Sequence, residues 1–338
     1  LEADLPAKPA RRRLPVWLTL SLKILFAAIL LYLVFTHVPF AETLRAMRDS
    51  DAVLCLLAYL LIIPAHVLTG VQMWAGFRAQ NIPHRMADLI QVQFAAMFYG
   101  LVIPGDVSAM AVKWIRLSKG GRHLAETAAI ILYCRVVNSL GLLCLGLIAL
   151  PFEEQLDSAL LRALVGGAFL LSLAAFLPFF SGRAALAMGR LGRGLAARLP
   201  LPGVVRVKSG KVWDGVVALS RLPPASRLWL AFLGFAFQAL GILSLWVLAR
   251  ALDLPLGLLA CAWISLLLYI VTLAPISVAG LGLREATLVH LLPTYYGIGA
   301  ESALALSLLV FGRRLFLCLV GGVWEGLRWL YPSPKPRG

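Results

Sequence analysis

The chain has 338 residues, 61% of them hydrophobic and only 14% charged, and its mean hydropathy is +0.87. A soluble fold cannot cover that much apolar surface, so the composition excludes an ordinary soluble domain and indicates an all-α, polytopic membrane protein. The formal net charge of +15 does not indicate nucleic acid, because the basic residues collect in loops between apolar runs, where they set topology and meet anionic headgroups.

Residues 1–15 read as a basic tail carrying Lys8, Arg11, Arg12 and Arg13. The apolar run after it is too long for a signal peptide and lacks a small-residue cleavage site. A helix needs roughly 20 apolar residues to cross the hydrocarbon core. Such runs fall at about 16–36, 53–74, 125–150, 159–180, 226–250 and 303–325. Two further stretches, 87–122 and 256–292, are interrupted, the first at Pro104 and Gly105, the second at Pro275, Gly280 and Gly282.

Loop charge sets the orientation. The segment 113–122 carries Lys113, Arg116, Lys119 and Arg122, and 181–225 carries eight basic residues against Asp214 alone. Glu153, Glu154 and Asp157 sit between the third and fourth runs with no base. The basic segments therefore face the cytoplasm, and the map closes only if both interrupted stretches return to the side they entered from. The expected plan is six full spans plus two re-entrant helix pairs in two inverted-topology halves, 16–150 and 151–328. Both termini, including a tail at 329–338, are then cytoplasmic, in a bacterial-type inner membrane. The insert 181–225 reads as an amphipathic helix on the inner leaflet, with a plain basic loop as the competing reading.

Irregular backbone at membrane depth is tolerated only beside protein or water, so both breaks predict an interior polar cavity; a kinked helix packed on its neighbours is the alternative. Amides freed at the start of a short helix suit an anion, and Gly280 and Gly282 permit close approach. Arg135, Arg313 and Arg314 fall within long apolar runs, where a cation costs about 2.5–3.5 kcal/mol on insertion scales and so needs an interior partner. With Arg284 they outnumber the nearby acids Glu285, Asp106 and Glu126. The surplus favours an anionic guest such as a phosphate, which arginine holds bidentately. The rival reading pairs Arg313 with Glu285 and lets Arg135 snorkel or bond to backbone carbonyls. Lys113 and Arg116 either receive a headgroup at the inner mouth or merely obey the positive-inside rule. His66, His290, Gln72, Gln238 and Asn138 read by default as interhelical hydrogen-bonding groups.

The chain contains no phosphate-binding GxxxxGK[ST] loop, HExxH or GxSxG, and no credible Ser/His/Asp set, so no catalytic residue, metal or cofactor is expected. Its five cysteines are isolated in apolar segments and read as small core hydrophobes.

The two broken motifs carry a resemblance. "APISVAGLGLREA" (274–286) is similar to the Pro…Gly-Leu-Gly-x-Arg-Glu signature of the lysylphosphatidylglycerol synthase transmembrane family, a flippase-like group that includes the N-terminal half of the bacterial multiple peptide resistance factor. "VIPGDVSAMAVKWIRLSK" (102–119) resembles its first motif, "YCRVVNSLGLL" (133–143) its Arg-x-x-Asp span and "FGRRL" (311–315) its late arginine. The chain departs from the pattern at Ser108, Ala109 and Met110, where many members carry Gly-Gly-Asp, and at Asn138, where they carry Asp. Each change removes an acid and leaves Lys113 and Arg135 less neutralised. The resemblance implies movement of a lipid between leaflets and, with no soluble aminoacyl-transferring domain in this sequence, no lysyl transfer.

The sequence thus predicts a flippase-like transporter of a phospholipid, aminoacylated phospholipid or polyprenyl-phosphate-linked sugar. Its expected site comprises Pro104, Gly105, Lys113, Arg135, Asn138, Pro275, Gly280, Gly282, Arg284, Glu285, Arg313 and Arg314. The alternative is a non-transporting membrane partner that docks a lipid-modifying enzyme on 181–225, as a monomer or an oligomer.

Overall fold

A computed structural model of the chain describes residues 38–102, 108–118, 123–149, 221–273 and 282–330, with scattered positions between 25 and 36 and between 152 and 220. The expected spans at 16–36 and 159–180, most of the insert 181–225 and both tails therefore lie outside the described residues, as do Pro104, Gly105, Asp106, Pro275 and Gly280.

Among the described residues the architecture is helical throughout. A short helix α1 (Phe40–Arg48) precedes α2 (Ala52–Ala79), α3 (Met86–Val102), α4 (Ser108–Leu117) and α5 (Leu124–Ala149). After the insert come α6 (Pro224–Ala251), α7 (Leu258–Leu273), α8 (Leu283–Tyr296) and α9 (Ala300–Leu330). Helix α1 falls in the connection between the first two apolar runs and was not foreseen from the sequence. Asp51 ends that connection by capping α2, its carboxylate accepting from the N–H groups of Val53 and Leu54.

Four of these helices, α2, α5, α6 and α9, are long and apolar enough to cross a membrane. Their outer faces leave Leu56, Leu57, Leu60, Phe232, Leu315, Leu319 and Val323 exposed, a surface suited to lipid and hostile to water. The chain is an integral membrane protein. The two interrupted stretches each resolve into two helices flanking an undescribed break: α3 and α4 with 17 and 10 residues, α7 and α8 with 16 and 14. At 1.5 Å per residue none of these four described helices exceeds about 26 Å.

The two halves repeat one arrangement. α2 and α6 both have 28 residues and make the largest interhelical interface. Matching α2 with α6, α3 with α7, α4 with α8 and α5 with α9 maps one half's packing onto the other's. Thus α3 lies on α9 as α7 lies on α5, and α4 touches α5 as α8 touches α9. Only the packing of α1 on α9 has no equivalent among the described contacts.

The equivalent helices α2 and α6 run antiparallel. The N–H of Asp51 donates to the carbonyl of Ala251 at 2.9 Å, Ser244 Oγ to Ala58 O at 2.7 Å and Gln72 Nε2 to Leu230 O at 2.9 Å. Gln72 stands as far along α2 as Ser244 does along α6, and Ala58 matches Leu230 in the same way. One hydrogen bond is therefore made twice, in opposite senses, by different side chains at equivalent positions of the two helices. One core cluster centres on Phe77, Ile130 and Tyr133 of the first half and takes in Leu230 of the second, and another centres on Leu248, Trp263 and Leu288 of the second and takes in Ala58 and Leu142 of the first. Ile62, Ala65, Phe94 and Leu317 join the two.

Candidate functional site

The start of α8 carries the most specific motif. Gly282 is its N-cap with φ 81°, a left-handed conformation that a side chain resists. Its N–H donates to Glu285 Oε2 at 2.7 Å. The amide that the sequence reading reserved for an anion is thus served by the chain's own carboxylate. Glu285 Oε1 accepts from the Arg284 guanidinium and from Ser307 Oγ at 3.3 Å. Arg284 Nε donates to Ser307 Oγ at 3.1 Å, and the guanidinium lies over the Phe311 ring at 5.4 Å. All three polar residues are buried. The sequence neighbours Arg284 and Glu285 are each other's partners, and this locks α8 to α9.

Arg313 is therefore left without Glu285. Its Nη1 donates to Gly241 O at 3.2 Å and to Ser244 Oγ at 3.0 Å. Both acceptors are neutral, both lie on α6, and no ion pair to Arg313 exists among the described residues. Tyr59 of α2 approaches from the other side over Gly312, donating to Leu309 O at 3.1 Å. Arg313 is half-buried near the middle of a 31-residue helix, close enough to Arg284 for their charges to interact.

On the first half, Lys113 of α4 is half-buried and also lacks an ion-pair partner among the described residues. It lies within electrostatic reach of Arg135 and Cys134 on α5. Arg135 is exposed and without a side-chain partner there, while its carbonyl accepts from Ser139 Oγ at 2.8 Å. Asn138 meets the other half, its carbonyl accepting from Gln238 Nε2 at 2.7 Å and its Oδ1 buried without a donor. Arg314 does not join Arg313; it is exposed beside the exposed Leu315.

Arg116 and His290 stand apart from this cluster. Arg116 of α4 grips Glu325 of α9 bidentately at 2.6 and 2.5 Å. Tyr99 of α3 donates to the same carboxylate at 3.4 Å and lies 5.2 Å beneath the guanidinium. Sequence reasoning missed this clamp; the signal was Glu325, an acid within a largely apolar helix. His290 is exposed and lines a 370 Å³ cavity with Trp263, Thr287 and Tyr295, away from the buried Glu285.

The lysylphosphatidylglycerol synthase TM region family model matches residues 20–322. The chain belongs to that family. No curated protein matches it at a significant level. Membership in this family indicates a membrane lipid-related function, and the described cluster has the chemistry such a role asks for. Lys113, Arg135 and Arg313 are cations without ion-pair partners among the described residues, whereas Glu285 is committed to Arg284.

Proposed function

We propose that the chain moves a phosphate-bearing lipid between leaflets, the headgroup passing through the polar interior while the tails stay in the bilayer. One observation carries this reading. Arg313 is held mid-helix by neutral acceptors only, so its charge is oriented but not cancelled. A cation kept at that depth costs free energy that an anionic guest returns. Lys113 and Arg135 extend the positive surface towards the other half. Fixed cations and oriented dipoles replace the water that a phosphate must shed to cross.

In this reading α3–α4 and α7–α8 are re-entrant pairs that dip in from opposite faces, both termini are cytoplasmic, and the protein lies in the inner membrane. It performs no chemistry on its lipid and needs no cofactor. Phospholipids, aminoacylated phospholipids and polyprenyl-phosphate-linked sugars all present the required phosphate.

The test is leaflet exchange of tail-labelled lipids in vesicles reconstituted with the purified chain. Wild type should accelerate exchange of at least one phosphate-bearing lipid, and Arg313→Ala should reduce it at least tenfold while leaving the protein folded. Exchange no faster with protein than without, across all three lipid classes, refutes the proposal.

A further inference from the structure

The short helices α7 and α8 enclose a cavity of 370 Å³. Trp263 and Leu267 line it from α7, one turn apart. Ala286, Thr287, His290, Leu291 and Tyr295 line it from α8, at the spacing of a single helix face. Trp263 Nε1 donates to Tyr296 Oη at 2.6 Å, which sets the start of α7 beside the end of α8 and gives the cavity a direction. The turn after Tyr296 leads into α9, a helix long and apolar enough to cross a membrane, so Tyr295 stands at the end nearer a membrane face. Thr287 lies about 12 Å deeper along α8, at 1.5 Å per residue.

Free polar groups occur only towards the outer end. Trp263 is committed to Tyr296, and the Thr287 hydroxyl donates to Leu283 O at 2.7 Å. Leu267 and Ala286 make the deeper wall apolar. The His290 imidazole and the Tyr295 hydroxyl, by contrast, have no hydrogen-bond partner among the described residues. Interhelical bonding, the default role for a histidine on an apolar run, is therefore not what His290 does. A polar ring turned towards hydrocarbon is costly unless a guest serves it. Among the described residues no Lys, Arg, Asp or Glu lines the cavity.

Shape and chemistry together specify the guest. The exposed Leu258 and Leu259 at the start of α7 make the mouth continuous with lipid-facing surface. A dry cavity of about 150 Å³ takes up benzene, so 370 Å³ has room for on the order of a dozen carbons. A phosphate would find no cation here, and water would leave the apolar depth unfilled. A polyisoprenoid would fill the depth and leave both donors idle. An acyl ester answers both requirements, since its carbonyl only accepts, sits near the membrane face, and sends its chain inwards.

We propose that the cavity between α7 and α8 is a binding site for one acyl chain of a glycerolipid, its ester carbonyl accepting from Tyr295 and His290. None of the cations assigned to the headgroup path lines it, so this site stands or falls independently of the transport reading.

The full chain in dodecyl maltoside is irradiated with a phosphatidylcholine bearing a diazirine on one acyl chain, and the cross-linked peptides are mapped by mass spectrometry. The competitors are dioctanoylglycerol and dioctylglycerol ether, which has equally long chains but no carbonyls. Labelling should concentrate on the cavity wall of α7 and α8. The ester should displace the probe about tenfold better than the ether, the effect of one or two hydrogen bonds. Tyr295→Phe/His290→Leu should keep the labelling and bring that ratio to about one. Ala286→Trp, which fills the deep end, should remove the labelling; its melt is compared with that of the wild type, and the double variant decides if the filled cavity unfolds the chain. Labelling spread evenly over the lipid-facing leucines of α2, α6 and α9, an adventitious additive only, overturns the proposal. So does an ether that competes as well as the ester, or a ratio unchanged in the double variant. Leaflet exchange reports separately: a chain that exchanges lipid without labelling at the cavity refutes this site alone, and labelling at the cavity without exchange refutes transport alone.

Discussion

Replacing Glu285 with alanine should destabilise the second half more than any other single truncation at the start of α8. The carboxylate does two jobs. It accepts the Gly282 N–H at 2.7 Å, a capping interaction whose loss costs about 0.5–2 kcal/mol. It also neutralises Arg284, which is only 7% exposed. Removing one partner of a buried pair costs about 3–5 kcal/mol, because the remaining charge stays buried. The two losses share the same oxygens, so the expected total for Glu285→Ala is about 3–5 kcal/mol rather than their sum. Removing the cation as well, in Arg284→Leu/Glu285→Ala, should return all but about 1–2 kcal/mol, which is the capping loss and the Ser307 hydroxyl left without its partners. The assay is unfolding in mixed micelles with increasing denaturing detergent, followed by tryptophan fluorescence, for the wild type, both single variants and the double variant. A double variant no more stable than Glu285→Ala would refute the argument, since Arg284 would then not depend on that carboxylate.

Other consequences are open to similar measurement. Glu325→Gln should cost about 1–2 kcal/mol in the same micelle assay, a buried-pair value discounted for the 19% exposure of the Arg116 side chain, and the exchanged pair Arg116→Glu/Glu325→Arg should recover at least half of it. At Gly321 an added Cβ would run into the carbonyl of Phe94, so Gly321→Val should cost about 1–3 kcal/mol by forcing α9 off α3; a melting temperature unchanged within error would contradict that close approach. Burial pushes the His84 imidazole below its ordinary value, opposed by Asp88 and assisted by His123. The unfolded chain then binds more protons than the folded one, so this contribution is complete above roughly pH 6.5 and declines as pH falls through that value. Thermal melts from pH 8 to 5 should show a shallower acid decline for His84→Leu than for wild type.

Much of the fold was legible because its signals are local. Apolar runs marked α2, α5, α6 and α9 within a few residues, and the glycine and proline breaks marked the two short-helix pairs. The mid-helix arginines of α9, Arg313 and Arg314, were legible for the same reason, since a cation amid apolar residues needs a physical account. Pairing was harder to read. Arg284 and Glu285 are adjacent in sequence, and whether they face each other or a distant helix depends on the cap geometry at Gly282, which spacing alone does not fix. The clamp between Arg116 and Glu325 joins the short helix α4 to the last described helix α9, and nothing short of tertiary packing brings them together. The equivalence of Gln72 and Ser244 was hidden because an amide and a hydroxyl make the same bond to a carbonyl. The unpartnered Nδ1 of His66 could not be foreseen either, as the rings beside it come from α3 and α6.

The Arg116–Glu325 clamp has no twin. Among the described residues no ion pair joins α8 to α5, although the packing of the two halves otherwise matches. In the transport reading proposed above, two inverted halves have two conformers available, each obtained from the other when the halves trade roles, and perfect symmetry would make them equally populated. A fastening present on one side tilts that balance, by a factor of about ten for every 1.4 kcal/mol it contributes. The protein's resting orientation would then be set by a single carboxylate near the end of its last helix, and a chain lacking that carboxylate would idle closer to an even division between its two faces.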